Sequence, residues 1–292
     1  MKNTWNCLIY KAFLLFVPFL ACTNVNFEQP VPQKGDALRG FPADWTGTYV
    51  SDIKDEEGKS EFEQIFRTCY RFERLSDRKL LVLSETRLHE NDLPRLRKAL
   101  DGEKKTGKLL EYQISGGFIR CTVKLDEPEP AGATEQQFTP LIKKGPWYIL
   151  AQTVTPFRLF DLEAGTQQEF EQQEDGKLKA AWLPGSDSLT VKQFRLVARQ
   201  LRNGYYFNTQ EEPDAKWALL YVTQPAKDQL LVKISNLEDS QDFERRQDYF
   251  NAITPFRKTD DNKYVINPTD PALGQLLAEK NLFQTTVLRK IE

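Results

Sequence analysis

Residues 108–125 alternate apolar and polar side chains on both sides of a Ser115-Gly116-Gly117 turn. Leu110, Tyr112 and Ile114 alternate with Glu111 and Gln113. Ile119, Cys121, Val123 and Leu125 alternate with Arg120, Thr122 and Lys124. Successive side chains of a strand point to opposite faces, so a period of two buries one face and wets the other. Paired glycines between two such runs supply the positive φ that a tight hairpin demands. Strand-like runs recur at 61–75, 79–84, 147–154, 157–162, 178–183, 189–199, 205–208, 217–223, 229–235, 264–266 and 283–290. So many short strands joined by turns point to an antiparallel sandwich or barrel.

Three helices interrupt the strands. Asp92 stands before 93–100, where Leu93, Leu96 and Leu100 share a face. Asp270-Pro271 reads as a helix start, with Leu273, Leu276 and Leu277 turned inward. A single helix is expected over 240–253, aligning Phe243, Phe250 and Ile253. The fold class is therefore mainly β with a few helices (α+β). The strings Lys79-Leu80-Leu81-Val82 and Gln229-Leu230-Leu231-Val232 echo each other, each just after an aspartate and before a candidate helix. A duplication into two β-rich halves, split near 130–145, is one reading. Chance is the other, because Leu-Leu-Val is a common strand string.

With 40% hydrophobic and 12% aromatic residues, the 292-residue chain can bury a sizeable core, which argues against disorder. A net charge of -2 argues against nucleic acid as the main partner. A single histidine leaves little for zinc, and no cofactor or metal site is expected.

The N-terminus carries Lys2 and Lys11, then an apolar run over 12–20. That run is about half of the roughly twenty residues a membrane-spanning helix needs. It suits the hydrophobic region of a secretory signal. Phe19-Leu20-Ala21-Cys22 resembles the lipobox of bacterial lipoproteins. The resemblance implies cleavage between Ala21 and Cys22, loss of residues 1–21 with Cys7, and lipidation of the Cys22 sulfur. One acyl chain holds a protein only reversibly, at about 0.8 kcal/mol per buried methylene; two or three hold it for good. The following Phe27-Glu28-Gln29-Pro30-Val31-Pro32, Phe41-Pro42 and Trp45-Thr46-Gly47-Thr48-Tyr49 are similar to the mature start of uncharacterised bacterial envelope lipoproteins. There, a polar F-x-x-P-x-P tether leads to a first strand near G-x-Y. Thr23 in place of aspartate after the lipid site implies the outer membrane. Residues 22–41 are accordingly expected as a lipidated, extended tether, and 42–292 as the β-rich body.

Cys69 and Cys121 remain in the mature chain besides Cys22. In an oxidising envelope the pair invites a disulfide. Against it, Cys69 falls on the charged face of 66–72 and Cys121 on the apolar face of 119–123, so two free thiols are the alternative. His89 lies among Glu90 and Asp92, the composition of a general base, but no strained nucleophile turn accompanies it. Gly185-Ser186-Asp187-Ser188 reads as a plain turn, and Asp187-Ser188-Leu189 resembles a bacterial O-glycan acceptor, which makes Ser188 a candidate modification site. Asp55-Glu56-Glu57-Gly58 lacks the alternating ligands of a calcium loop. Residues 67–108 are basic and 161–175 acidic, an asymmetry that could steer an anionic glycan or a protein. Trp45-Thr46-Gly47 resembles, in reversed order, the Gly-x-Trp opening of lipocalin-like proteins, which implies a ligand-binding barrel.

The resulting expectation is a non-enzymatic, lipid-anchored envelope protein with a binding or scaffolding role. Its partners would be membrane lipid through Cys22 and an envelope protein or glycan. The alternative is a lipocalin-like carrier of a small apolar ligand.

Overall fold

In the computed structural model, alternation along the chain becomes a closed wall of antiparallel strands. The structure describes residues 25–51, 65–107, 109–124, 134–170, 191–259, 263–280 and 282–292. Ten strands form the wall: β3 (Gly47–Ser51), β4 (Phe66–Ser76), β5 (Lys79–His89), β10 (Thr155–Asp161), β11 (Thr166–Phe170), β12 (Val191–Leu201), β13 (Gly204–Gln210), β14 (Ala218–Ala226), β15 (Gln229–Leu237) and β18 (Phe283–Lys290). Each pairs antiparallel with the next in this order, β5 with β10 and β15 with β18 included. The last then pairs with the first, setting Lys290 opposite Tyr49 and Leu288 opposite Ser51. The result is an up-and-down barrel, the arrangement that removes sheet edges altogether.

Two excursions leave the barrel and return to the neighbouring strand. From His89 the chain passes through a 3-10 turn (Glu90–Asp92) into helix α1 (Leu93–Lys105). It then forms β6 (Leu109–Ser115), β7 (Phe118–Lys124), β8 (Thr134–Lys144) and β9 (Trp147–Leu150). Strand β9 pairs with the end of β5, so β9-β8-β7-β6 is a side sheet growing off the barrel wall. One face of it buries Ile119, Cys121, Val123 and Leu141 with Leu96, Ala99 and Leu100 of α1. The second excursion carries α2 (Ser240–Arg245), α3 (Gln247–Ile253), β16 (Arg257–Lys258), β17 (Tyr264–Ile266) and α4 (Asp270–Ala278). Its core joins Phe243, Phe250, Leu273 and Leu276 to Tyr206, Trp217 and Leu219 on the outer face of the barrel.

Several expectations are corrected here. The expected hairpin forms over 109–124, with Gly116 and Gly117 in its turn, but its register shifts between Leu109 and Glu111. Leu109 is therefore buried and Leu110 exposed. The helix over 240–253 is two helices that meet at Arg246. Strand β8 occupies 134–144, inside the range named for a split, and strands from both sides of it close one barrel. The two echoing strings hold the same place in their strands. Leu80, Val82, Leu230 and Val232 all face the lumen, and each string leads into one of the excursions.

The largest correction concerns residues 25–41, which are packed into the body. Strand β1 (Val25–Phe27) runs parallel to β17. Val25, Phe27 and Val31 are fully buried, and β2 (Asp36–Ala37) pairs with the part of β12 that β11 is too short to cover. Alternate residues in Val25-Asn26-Phe27 supply the buried face, and the prolines that suggested a tether lie between anchored points.

Candidate functional site

Inward-facing positions of the strands make an apolar lumen. Tyr70, Leu80, Val82, Phe160, Leu196, Phe207, Val222, Leu230 and Leu288 are buried there together. One end is shut. At that end the β4–β5, β12–β13 and β14–β15 hairpins turn within two residues. Phe41 and Trp45 seat themselves over the opening. Phe41 hangs from the β4–β5 turn through Phe41 N–H to Asp77 O at 2.8 Å, and its ring stacks on Phe207 at 6.0 Å. Trp45 meets Tyr205 edge-on at 4.8 Å and donates through Nε1 to Gln224 Oε1 at 3.3 Å. Gly47 follows with φ +138°, and a Cβ there would collide with Glu292 O and the Lys290 side chain. Glycine is thus the residue this crossing admits.

Between this plug and the opposite end lies a void of about 130 Å³. Its walls are apolar except for Arg158, Gln284 and Thr286. Arg158 pairs with Glu169 at 2.9 Å and lies over the Phe157 ring at 4.8 Å. Burial pushes the neighbouring Tyr70 phenol well up, with the Arg158 charge opposing it, so that phenol stays neutral. Drug-sized ligands occupy about 300–1,000 Å³. An engineered apolar cavity of about 150 Å³ takes benzene. The lumen as it stands has room for a molecule of the latter size.

On the outer wall lies a charge network that the sequence reading missed. Arg87 is fully buried. It pairs with Glu85 at 2.8 Å and Glu292 at 2.7 Å and donates to Thr48 Oγ1 at 3.2 Å. Arg71 reaches Glu85 at 2.7 Å, and Lys144 of the side sheet reaches Glu292 at 2.6 Å. Burial alone would raise the Glu292 carboxyl, but hydrogen bonds from Arg87 and Lys144 more than offset it and hold it below the usual range. The available signal was Glu85 and Arg87 two apart in an apolar strand, on the face opposite Leu80 and Val82.

The side sheet presents a different surface. Its face away from α1 carries Phe118 and Phe138, with rings 5.1 Å apart, and Arg120 over Phe118 at 5.5 Å. Phe138 is 48% and Ile142 53% exposed, Ile142 being the most exposed large hydrophobic side chain among the described residues.

No protein-family model matches the chain, and no curated protein is significantly similar to it.

The remaining candidates separate. Cys69 and Cys121 are two free thiols, which corrects the disulfide option. Cys69 stands opposite Glu85 on the outer barrel wall, and Cys121 sits in the core between side sheet and α1. Burial pushes both thiols up to about 12, far from the range of a reactive thiolate. His89 accepts from Asn91 N–H at 3.2 Å and meets Trp147 edge-on at 4.7 Å, the role of a turn cap. Of the basic stretch, Lys79 pairs with Asp161 of the acidic one, while Arg71 and Arg87 go to Glu85 and Glu292; residues 171–175 lie outside the described residues. Ala21, Cys22, Ser188 and residues 55–58 lie outside the described residues. Among the described residues, no three His, Cys, Asp or Glu side chains gather as metal ligands, and no helix is long and apolar enough to cross a membrane.

Proposed function

We propose that the protein is a non-enzymatic binding protein of the bacterial envelope, held at the outer membrane by lipid on Cys22, that recognises a partner protein on the outside of its barrel. The occupied lumen carries this reading. A void of about 130 Å³ behind an aromatic plug leaves no room for a lipid or a metabolite of ordinary size. The apolar side chains that do reach solvent include Phe138 and Ile142, on a sheet face where Arg120 lies against an aromatic ring. Aromatic residues and arginine are the types enriched where proteins meet. The lipobox-like Phe19-Leu20-Ala21-Cys22 supports the anchor. Cys22→Ser is expected to release the protein from membranes and abolish labelling with an alkyne palmitate analogue. Labelling that persists in the variant refutes the anchor.

The apolar lining of the void favours a second reading, a lipocalin-like carrier of one small apolar ligand. Calorimetric titration with benzene, a ligand of the size the void admits, separates the two. The leading reading expects no saturable binding to the wild type. Saturable binding that Leu220→Trp abolishes, by filling the lumen, moves the function inside the barrel.

A further inference from the structure

We infer that the body stands directly on the bilayer, with the barrel end opposite the plug toward the lipid. This rests on the reading of Cys22 as the lipid site and goes on to say which way the protein faces. Only three peptide steps separate Cys22 from Val25, so the two Cα atoms lie within about 11 Å of each other. Val25 already belongs to a strand and is fully buried, opposite Tyr264. A flexible tether of twenty residues would instead span about 25 Å and allow any orientation.

The strand that takes up the anchor is fastened along its length. Phe27 and Trp217 exchange both backbone hydrogen bonds, at 2.8 and 2.9 Å. Arg257 pairs with Glu28. Asn208 accepts from Val31 N–H at 2.9 Å and donates to Val31 O at 2.7 Å. The N–H groups of Gln33 and Lys34 both donate to the Asp270 carboxylate, at 2.6 and 3.0 Å. Pulling on Cys22 therefore loads the whole body.

The path of this segment sets the polarity. Trp217 immediately precedes β14, whose first residue lies at the end opposite the plug. From Phe27 the chain runs along the outside of the barrel past Asn208, reaches Arg199 at Ala37, and enters the plug at Phe41. The anchor thus attaches toward the far end, and the plug with its tight hairpins points away. Lys258 pairs with Tyr264 and marks the anchor side; Asp214 lies in the far-end turn between β13 and β14; Asn203 lies in a plug-end turn. All three are exposed.

The test places one fluorophore at a time through Lys258→Cys, Asp214→Cys or Asn203→Cys in the full-length lipidated protein, since the buried Cys69 and Cys121 resist labelling. The protein is bound to phosphatidylethanolamine–phosphatidylglycerol vesicles carrying a rhodamine-lipid acceptor. Energy transfer from positions 258 and 214 should exceed that from 203 several-fold. A Gly-Ser linker of twelve residues inserted after residue 24 should level the three. Equal transfer without the linker, or the reverse order, with acylated Cys22 confirmed by mass spectrometry, overturns the orientation and leaves the anchor standing. An unmodified Cys22 overturns both.

Discussion

At the scale of single residues, Gly47 is where the barrel least tolerates change. Its backbone sits at φ +138°, which side chains rarely adopt, and the space beside it is filled by Glu292 O and Lys290. Strain of this kind costs about 1–3 kcal/mol per position. Gly47→Ala is expected to lower stability by about that amount or more, read as a lower urea midpoint with an unchanged slope. Gly116 and Gly117 meet nothing within 4 Å of an added Cβ. The same substitution there tests turn preference alone and should cost less. The sequence marked all three as glycines near strand ends, and only the neighbours at Gly47, more than two hundred positions along the chain, set it apart.

At the scale of elements, the segment containing β1 and β2 is a wall and core element whose attachment hinges on Asn208. This side chain is fully buried and satisfies both backbone polar groups of Val31. Asn208→Ala leaves those two groups without their partner, and each unsatisfied buried group costs about 1–3 kcal/mol. The expected outcome is a loss of about 3 kcal/mol. In hydrogen exchange, the amides of 25–37 should open well before those of β13 and β14. Equal protection throughout would mean that the segment unfolds with the barrel. Element existence was legible wherever alternation was strong: β7, β10, β15 and β18 fall where the pattern puts them. Strand β11 (Thr-Gln-Gln-Glu-Phe) and the Pro-containing β8 were not, since polar side chains and a missing N–H hide a strand whose partners on both sides fix it.

At the scale of the whole molecule, the weakest seam is the one that closes the barrel. Strands β18 and β3 share three register pairs, against seven for β12 and β13. The chain beyond β18 reinforces the seam. Ile291 N–H donates to Thr48 O at 2.8 Å, Thr48 N–H donates to Glu292 O at 3.2 Å, and the Glu292 carboxylate meets Arg87 and Lys144. Because Glu292 is held below its ordinary 4.5 in the fold, the folded state binds fewer protons there than the unfolded chain does. Its contribution is complete above about pH 4.5 and is lost as pH falls through the folded value. Asp161, also lowered, adds in the same direction. Urea midpoints taken from pH 6 to pH 3 should fall, and Glu292→Gln should flatten that fall while lowering stability at neutral pH. An unchanged slope in the variant would place the acid sensitivity elsewhere.

The sequence by itself determined where most of the strands lie, which face of most of them is apolar, where three helical stretches begin, and the lipobox-like start. These follow from alternation, turn residues and caps, which act over a few positions. Tertiary structure alone decided that ten strands close into one barrel and that residues 25–41 serve as wall and plug. It also decided that Cys69 and Cys121 stay apart and that Glu85 and Arg87 are buried as a pair. Each of those depends on partners far along the chain, 177 positions for Val31 and Asn208 and 205 for Arg87 and Glu292. Burial of a polar side chain is tolerable only when such a partner arrives, and no local pattern encodes its arrival.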